Sequence, residues 1–584
     1  MSQTPAPPFL PTTRRESDQL GWTSLDVILV TGDTYIDAPH IGVAVIGRVL
    51  LAAGFRVGII AQPDVDSARD ITRLGEPELF WGVTAGCIDS MIANFTASGK
   101  RRKSDDMTTG GINNRRPDRA VLVYSHLIRR HYKQTRPIVL GGIEASLRRI
   151  SHYDAWSDTV RRSILFDAKA DLLLYGMADQ TVVTLARMLR QKEDVGSLRG
   201  LCYIRREPPP PEPEWAGPDL LLPAHDAVAA DPQAFAAMYR QFYAHADPPT
   251  ARRLLQRQDT RYLVHNPPAL PPRTDEIDAV YELPFSREVH PYYRSGGQVA
   301  ALQTIQFSLT THRGCFGECR FCAISVHQGR QVVSRSQASL LREARAMRNH
   351  PDFKGIIADV GGPTANMYAM GCRRPHAQGM CAKKSCLFPK TCRQLSVDHQ
   401  PQITLLRAIR AIAGIRKVFV ASGVRYDLIL ADPASGTAYL EELLRRHVSG
   451  QLKIAPEHVH DSLLHLMGKP DHRRLETFRR LFDALNRRMP RPCYLTYYFM
   501  AAHPGCSMEE MRALRVYAET RLRLIPEQVQ IFTPSPATYS TLMYHTGIDP
   551  FTGRALFVEK SARSKTAQKS ILTELKNRLR KEEK

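Results

Sequence analysis

Residues 310–328 read TTHRGCFGECRFCAISVHQ and carry Cys315, Cys319 and Cys322 in C-x3-C-x2-C spacing. A strand-like run, LQTIQFSLTT, leads into the loop, and a helix-like run, SRSQASLLREARAMRNH, follows it. Gly314 precedes the first cysteine and Gly317 sits inside the loop. Thiolates hold iron–sulfur clusters, and four of them saturate a four-iron cluster. Three leave one iron without a protein ligand, where a small molecule can bind. The alternatives are a redox-active thiol cluster and a zinc loop with His312 or His327 as fourth ligand. The strand–loop–helix setting favours the iron–sulfur reading.

Outward from this loop, 584 residues suffice for about three or four domains. Hydrophobic residues make up 43%, enough for sizeable cores. No run of about 18 apolar residues occurs, so no membrane span or membrane partner is expected. The N-terminal MSQTPAPPFLPTTRRESDQLG is polar and Pro-rich, without the apolar centre of a secretory signal. Of eleven cysteines, seven fall between Cys315 and Cys392. They read as metal ligands in a reducing compartment, so a cytoplasmic location is expected. Lys and Arg outnumber Asp and Glu by 80 to 58, a net charge of +22. Such a surplus suggests an anionic partner, RNA, DNA or a phosphorylated ligand; plain solubility is the alternative.

Residues 25–205 alternate strand-like and helical runs. SLDVILVTG, RVGIIAQPD, LFWGVTAG, RPIVLGG and ADLLLYG are strand candidates, with helical IGVAVIGRVLLAAG and TVVTLARMLRQK among them. That alternation implies a parallel sheet with helices on both faces, with ligands expected beyond the carboxyl ends of the strands. TGDTYIDAPHIG and GGIEAS are the suggestive loops there. Ser98 to Arg119 sets seven Lys/Arg against three Asp and reads as a basic surface loop. Residues 206–300, opened by REPPPPEPEWAGP, read as a Pro-rich connector. Residues 301–540 offer six further strands: LQTIQFSLT, FKGIIADV, KVFVASG, QLKIA, YLTYYFMAA and EQVQIFTP. A flexible 1–24 and a basic 541–584, whose SILTELKNRLRKEEK is helix-prone, complete the division.

The motifs YELPF, RGCFGECRFCAI, SRS, GGPTANMY, KIAPEHV, LMGKP and HTGIDPFTG together resemble the YgiQ-like family of radical S-adenosylmethionine (SAM) proteins. The resemblance covers most of the chain. It implies a partial (β/α)6 barrel, similar to that of the methylthiotransferases, behind a Rossmann-like domain of the cobalamin-binding type. It implies that Cys315, Cys319 and Cys322 ligate a [4Fe-4S] cluster whose open iron chelates SAM. One electron would then split SAM to a 5′-deoxyadenosyl radical that takes a hydrogen atom from the substrate. By the same resemblance Phe321 contacts adenine, and Gly361 and Gly362 meet the SAM amino group. Arg425 would pair with the carboxylate, a structural ion pair being its alternative. Lys453, Glu457 and His458 follow the fourth strand, and His503 ends the fifth. The expected electron donor is a flavodoxin or ferredoxin.

The D-x-H-x-x-G of corrinoid binders is absent; Asp37-Ala-Pro-His40-Ile-Gly42 has the wrong spacing. A Rossmann-like domain without cobalamin is the favoured reading, and a cobalamin-dependent methyltransferase the alternative. Cys87 and Cys202 stand apart, which does not match the methylthiotransferase cysteine pattern. Cys372, Cys381, Cys386 and Cys392 lie in a Lys/Arg-rich insertion, 371–399, with little apolar content. They read as a second metal site, zinc or iron–sulfur, that supplies folding energy the segment cannot bury. A non-enzymatic iron–sulfur or zinc protein that binds nucleic acid would share these features and need no SAM. Spacing names no substrate and no oligomeric state.

Overall fold

A computed structural model describes residues 7–212, 215–374, 379–381 and 384–573. Two compact units divide at Gln306/Phe307, except that Ala97–Gly99 and Arg273–Asp275 group with the second.

The first unit is built on a nine-stranded sheet. Its strands are β1 (Val27–Thr31), β2 (Val57–Ala61), β3 (Phe80–Thr84) and β4 (Ile138–Leu140). After a separate hairpin, β5 (His152–Asp154) and β6 (Thr159–Arg161), come β7 (Leu172–Leu174), β8 (Leu201–Arg205), β9 (Leu220–Leu222), β10 (Leu254–Gln258) and β11 (Arg261–His265). The spatial order is β2-β1-β3-β4-β7-β8-β11-β10-β9. The five strands expected from the sequence are β1 to β4 and β7, all mutually parallel. Every residue of β1 and β2 is buried, which is why VILVT and VGIIA are continuous apolar runs. Helices Gly42–Ala52 and Asp179–Gln191 pack against each other beside them.

The structure differs from the sequence reading over 206–300. β9, β10 and β11 of that stretch extend the sheet past antiparallel β8. Buried glutamines hid the strands. Gln256 and Gln258 are 1% and 0% exposed, and Gln258 Nε2 donates to Gln256 Oε1 at 2.8 Å. Their carbonyls also accept from the amides of Ser151 and Ser163. A polar pair thus satisfied costs little to bury, yet it breaks an apolar run. The Ser98–Arg119 loop also differs from a solvated surface loop. Arg116 is 1% exposed and pairs with Asp33 at 2.5 Å and Asp105 at 3.1 Å.

In the second unit the six expected strand runs all appear. They are β12 (Ser308–Thr310); β15 (Ile356–Ile357) with β16 (Asp359–Gly361); β19 (Lys417–Val418); β20 (Gln451–Glu457); β21 (Tyr494–Ala501); and β22 (Gln528–Ile531). Hairpins β13 (His312–Arg313) with β14 (Val333–Ser334) and β17 (Gly371–Cys372) with β18 (Leu395–Ser396) flank them. Parallel pairing runs in chain order: β12 with β16, β15 with β19, β20 with β21, and β21 with β22. The parallel bridge Val424–Ile454 joins the third run to the fourth. The product is a six-stranded parallel partial barrel with helices between strands. Its core includes Leu309, Val360, Val418, Ile454 and Phe499, each at most 1% exposed. Only the first four residues of SILTELKNRLRKEEK are described, at the end of helix Ala562–Thr573; the rest of that expected helix lies outside the described residues.

Candidate cluster-binding site

The cysteine loop follows β12 and the two-residue β13, at the carboxyl edge of the parallel strands. In open parallel sheets that edge is where ligands bind. Gly314 turns the chain into the loop with φ +80°, and a Cβ there would lie 1.9 Å from the Gln331 carbonyl. Only glycine combines that backbone with that approach. Farther on, Arg320 fastens the loop to the barrel. Its amide donates to the Met467 carbonyl at 2.9 Å, and its Nη1 donates to the His465 carbonyl at 3.0 Å. Its guanidinium lies 3.6 Å from the Phe551 ring centroid.

The thiols are held individually. Gly317 N–H donates to Cys315 Sγ at 3.4 Å, and Cys315 Sγ is 3.7 Å from Thr364 Oγ1. Arg425 Nη1 donates to Cys319 Sγ at 3.4 Å. The Cys322 amide donates to the Cys319 carbonyl at 2.9 Å. A Cβ on Gly317 would stand 2.9 Å from Arg425 Nη1 and 3.2 Å from Cys315 Sγ, so this glycine leaves room for both groups. Burial, then the neighbouring Cys319, raises the Cys315 thiol; the Gly317 amide and Arg425 oppose them. Burial and Cys319 push Cys322 up to about 12. Coordination by a metal overrides such penalties, because a coordinated thiol gives up its proton.

Arg425 has a second partner. Its Nε and Nη2 form a fork on Asp427 at 2.9 and 2.6 Å. The structural ion pair and the approach to the cysteine loop therefore coexist. Burial disfavours the Asp427 carboxylate, yet Arg425 holds it below its ordinary value. Asn366 fixes the Arg425 backbone: its Oδ1 accepts from Arg425 N at 2.8 Å, and its Nδ2 donates to Arg425 O at 3.1 Å. Behind it stand His399, 3.1 Å from Asn366 Nδ2, and Asp432, 2.8 Å from His399 Nδ1.

The other expected residues gather at the same edge. Gly361 closes β16 opposite Thr310. A Cβ on Gly362 would lie 2.6 Å from the His312 ring, so the second glycine lets this buried histidine pack against the backbone. Phe321 meets His503 edge-on at 6.4 Å between centroids, and His503 Nε2 is 2.7 Å from Ser540 Oγ. Burial lowers His503 to about 4, so its ring is neutral. Glu457 ends β20 with φ +69° and lies 4.0 Å from Lys469 Nζ. Burial raises Glu457 to about 7 against the pull of Lys469 and Arg425; at 4.0 Å the lysine does not offset the desolvation. Sequence reasoning had no role for Thr364, Asn366, His399, Asp432 or Lys469. Thr364 and Asn366 lie within the GGPTAN run, which was a signal; His399 and Asp432 come from separate segments with none.

Of the second cysteine group, Cys372, Cys386 and Cys392 come together. β17 pairs Cys372 with Leu395, and the Cys392 amide donates to the Cys386 carbonyl at 2.8 Å. Cys381 is held differently, its Sγ accepting from Arg374 Nη1 at 2.8 Å.

The loops at the carboxyl edge of the first unit's sheet are held by an ion pair and by backbone-to-carboxylate hydrogen bonds. Asp37 takes the Arg48 guanidinium at 2.5 Å, and both are fully buried. Glu144 of GGIEAS accepts from the Ser90 amide at 2.8 Å.

Residues 9–308 match the family described as Radical SAM N-terminal, and residues 309–517 match the Radical SAM superfamily. A UPF0313 protein of Fusobacterium nucleatum is 51% identical over 97% of this chain and 99% of its own. A UPF0313 protein of Thermotoga maritima is 47% identical over 98% and 99%. Among solved structures, the radical SAM methyltransferase TsrM from Kitasatospora setae is 16% identical with TM-score 0.45, over 88% of this chain and 75% of its own. The cobalamin-dependent SAM radical enzyme OxsB is 12% identical with TM-score 0.47, over 89% and 55%. At these scores neither structure says what this chain binds.

Proposed function

The chain belongs to the radical SAM superfamily, among its UPF0313 members, and from that premise we propose that Cys315, Cys319 and Cys322 hold a [4Fe-4S] cluster that binds SAM. It is a radical SAM enzyme, which sets aside a purely non-enzymatic cluster protein. The donor set fits the group: three thiols share one loop, with no fourth cysteine in that loop. When bound, such a cluster supplies one electron to the sulfonium of SAM, the superfamily's route to a carbon-centred radical.

The chain's own residues bind and orient. Arg425, anchored by Asp427 and Asn366, donates to Cys319 Sγ and so ties the cysteine loop to the third strand's loop. Gly361 and Gly362 keep side chains off the strand end where a SAM amino group would approach. Phe321 and the neutral His503 offer ring edges to adenine. Glu457, with a pKa near 7, stands ready to hold or release a proton beside Lys469. The single observation that carries the reading is the Arg425 bridge, which ties the third strand's loop to the cysteine loop of the first. Superfamily enzymes need a reductant, and we assign that role to a flavodoxin or ferredoxin. With a net charge of +22, we take RNA or another polyanion as the substrate class.

The test is electron paramagnetic resonance on the anaerobically reconstituted, reduced protein. Added SAM should shift the cluster signal, because an open iron changes its ligands. An unchanged signal with saturating SAM would remove the open-iron reading.

A further inference from the structure

We propose that Cys372, Cys386 and Cys392 hold a second iron–sulfur cluster, seated against the first cysteine loop. Cys372 comes from the start of the insertion and Cys386 and Cys392 from its second half. The β17–β18 pairing sets Cys372 beside Leu395, and the Cys392 amide donates to the Cys386 carbonyl. Cys372 and Cys386 line a cavity of ≈ 40 Å³ with Phe316, Val332, Met380 and Leu395. That is more than the roughly 10–15 Å³ a single water needs. Two observations favour a cluster over a zinc ion. Tetrahedral zinc with Zn–S near 2.3 Å sets its sulfurs about 3.8 Å apart. Among the described residues no cysteine trio brings its sulfurs within 4.8 Å of one another. A cluster, whose ligands sit on separate irons, accommodates sulfurs farther apart than one tetrahedral ion does. The fourth thiol of the group, Cys381, is engaged by Arg374. Polar donors also stand ready: the amides of Gln394 and Leu395 reach Cys392, and Ser385 Oγ is buried with no hydrogen-bond partner among the described residues.

The position is as informative as the ligands. Phe316, 2% exposed, follows Cys315 in the chain and also lines the second cavity. Cys315, Cys386 and Cys392 border one apolar cluster around Phe316, Leu387 and Leu428. The two thiol groups are therefore neighbours across a single buried side chain.

This site uses none of the first site's cysteines, and metal analysis tells the two apart. The full chain, reconstituted anaerobically, is assayed for iron, sulfide and zinc. About eight irons and no stoichiometric zinc are expected. The variant Cys315→Ala/Cys319→Ala/Cys322→Ala should keep about four irons, held by the second site. Cys372→Ala/Cys386→Ala/Cys392→Ala should keep about four, and Cys381→Ala about eight. Wild-type protein with about four irons, all lost in the first-loop variant, would overturn the second cluster, as would one zinc per chain. Should the first-loop variant keep all eight irons, the first-site reading fails instead. If the second-site variant does not fold, the wild-type count and the first-loop variant still decide.

Discussion

Glu457 carries the carboxyl of the candidate site that burial raises. Its carboxyl is raised from an ordinary 4.5 to about 7, chiefly by burial. The raised value means that ionisation is penalised in the folded protein. Stability is therefore full below the unfolded value and falls as pH climbs from about 4.5 to about 7. The whole difference is worth roughly 3 kcal/mol. Urea unfolding at pH 5 and pH 8 should show the wild type losing up to about that much relative to Glu457→Gln across this window. Parallel pH dependences in the two proteins would place Glu457 in water. Asp432 is a second single-residue case. It accepts from the His399 amide and Nδ1 and from the Ser435 amide while 4% exposed. Asp432→Ala should cost about 3 kcal/mol by leaving those donors unpaired. It should also loosen Arg425 through Asn366. Thermal unfolding measures the cost, and a loss under 1 kcal/mol would show that the chain of hydrogen bonds is not rigid.

Among the elements, the turn from β13 into the cysteine loop is the most constrained. Gly314→Ala must move the Gln331 carbonyl, which would stand 1.9 Å from the new Cβ at φ +80°. The variant should reconstitute with less iron and melt several degrees lower, since a strained positive φ alone costs of order 1–3 kcal/mol. Wild-type iron content in this variant would mean the loop tolerates a second path. The parallel strands of the first unit were legible in the sequence because buried strands are apolar runs, as VILVT and VGIIA are. In the second unit QLKIA shows instead the alternation of a strand that buries Leu452 and Ile454. The cysteine loop was legible because its three cysteines are local in sequence. What stayed hidden depended on partners distant in sequence. Gln256 and Gln258 made β10 look like loop, although Gln258 Nε2 donates to Gln256 Oε1 and both carbonyls accept backbone amides from distant segments. Arg116 looked like one more surface charge until Asp33 and Asp105 enclosed it. His399 and Asp432 came to the site only through tertiary packing.

At the scale of the whole molecule, two features of the chain bear on partners: its surplus of positive charge and its membership of a cluster-bearing superfamily. No helix among the described residues is long and apolar enough to cross a membrane. A net charge of +22 makes any affinity for a polyanion strongly dependent on salt. For single-stranded RNA the slope of log K against log salt should approach −0.7 per phosphate contacted. Binding measured by fluorescence anisotropy at 50 and 200 mM salt should weaken at least tenfold if several contacts form. Affinity indifferent to salt would exclude an electrostatic footprint and leave the charge to solubility. The central claim is the cluster site at Cys315, Cys319 and Cys322, and SAM cleavage tests it most directly. The reduced, reconstituted full chain is incubated with SAM, and methionine and 5′-deoxyadenosine are quantified beside the same assay on Cys319→Ala. Both products should form with the wild type and fall to background with the variant. Equal cleavage by the two proteins, or none by the wild type with its full iron content, would contradict the account.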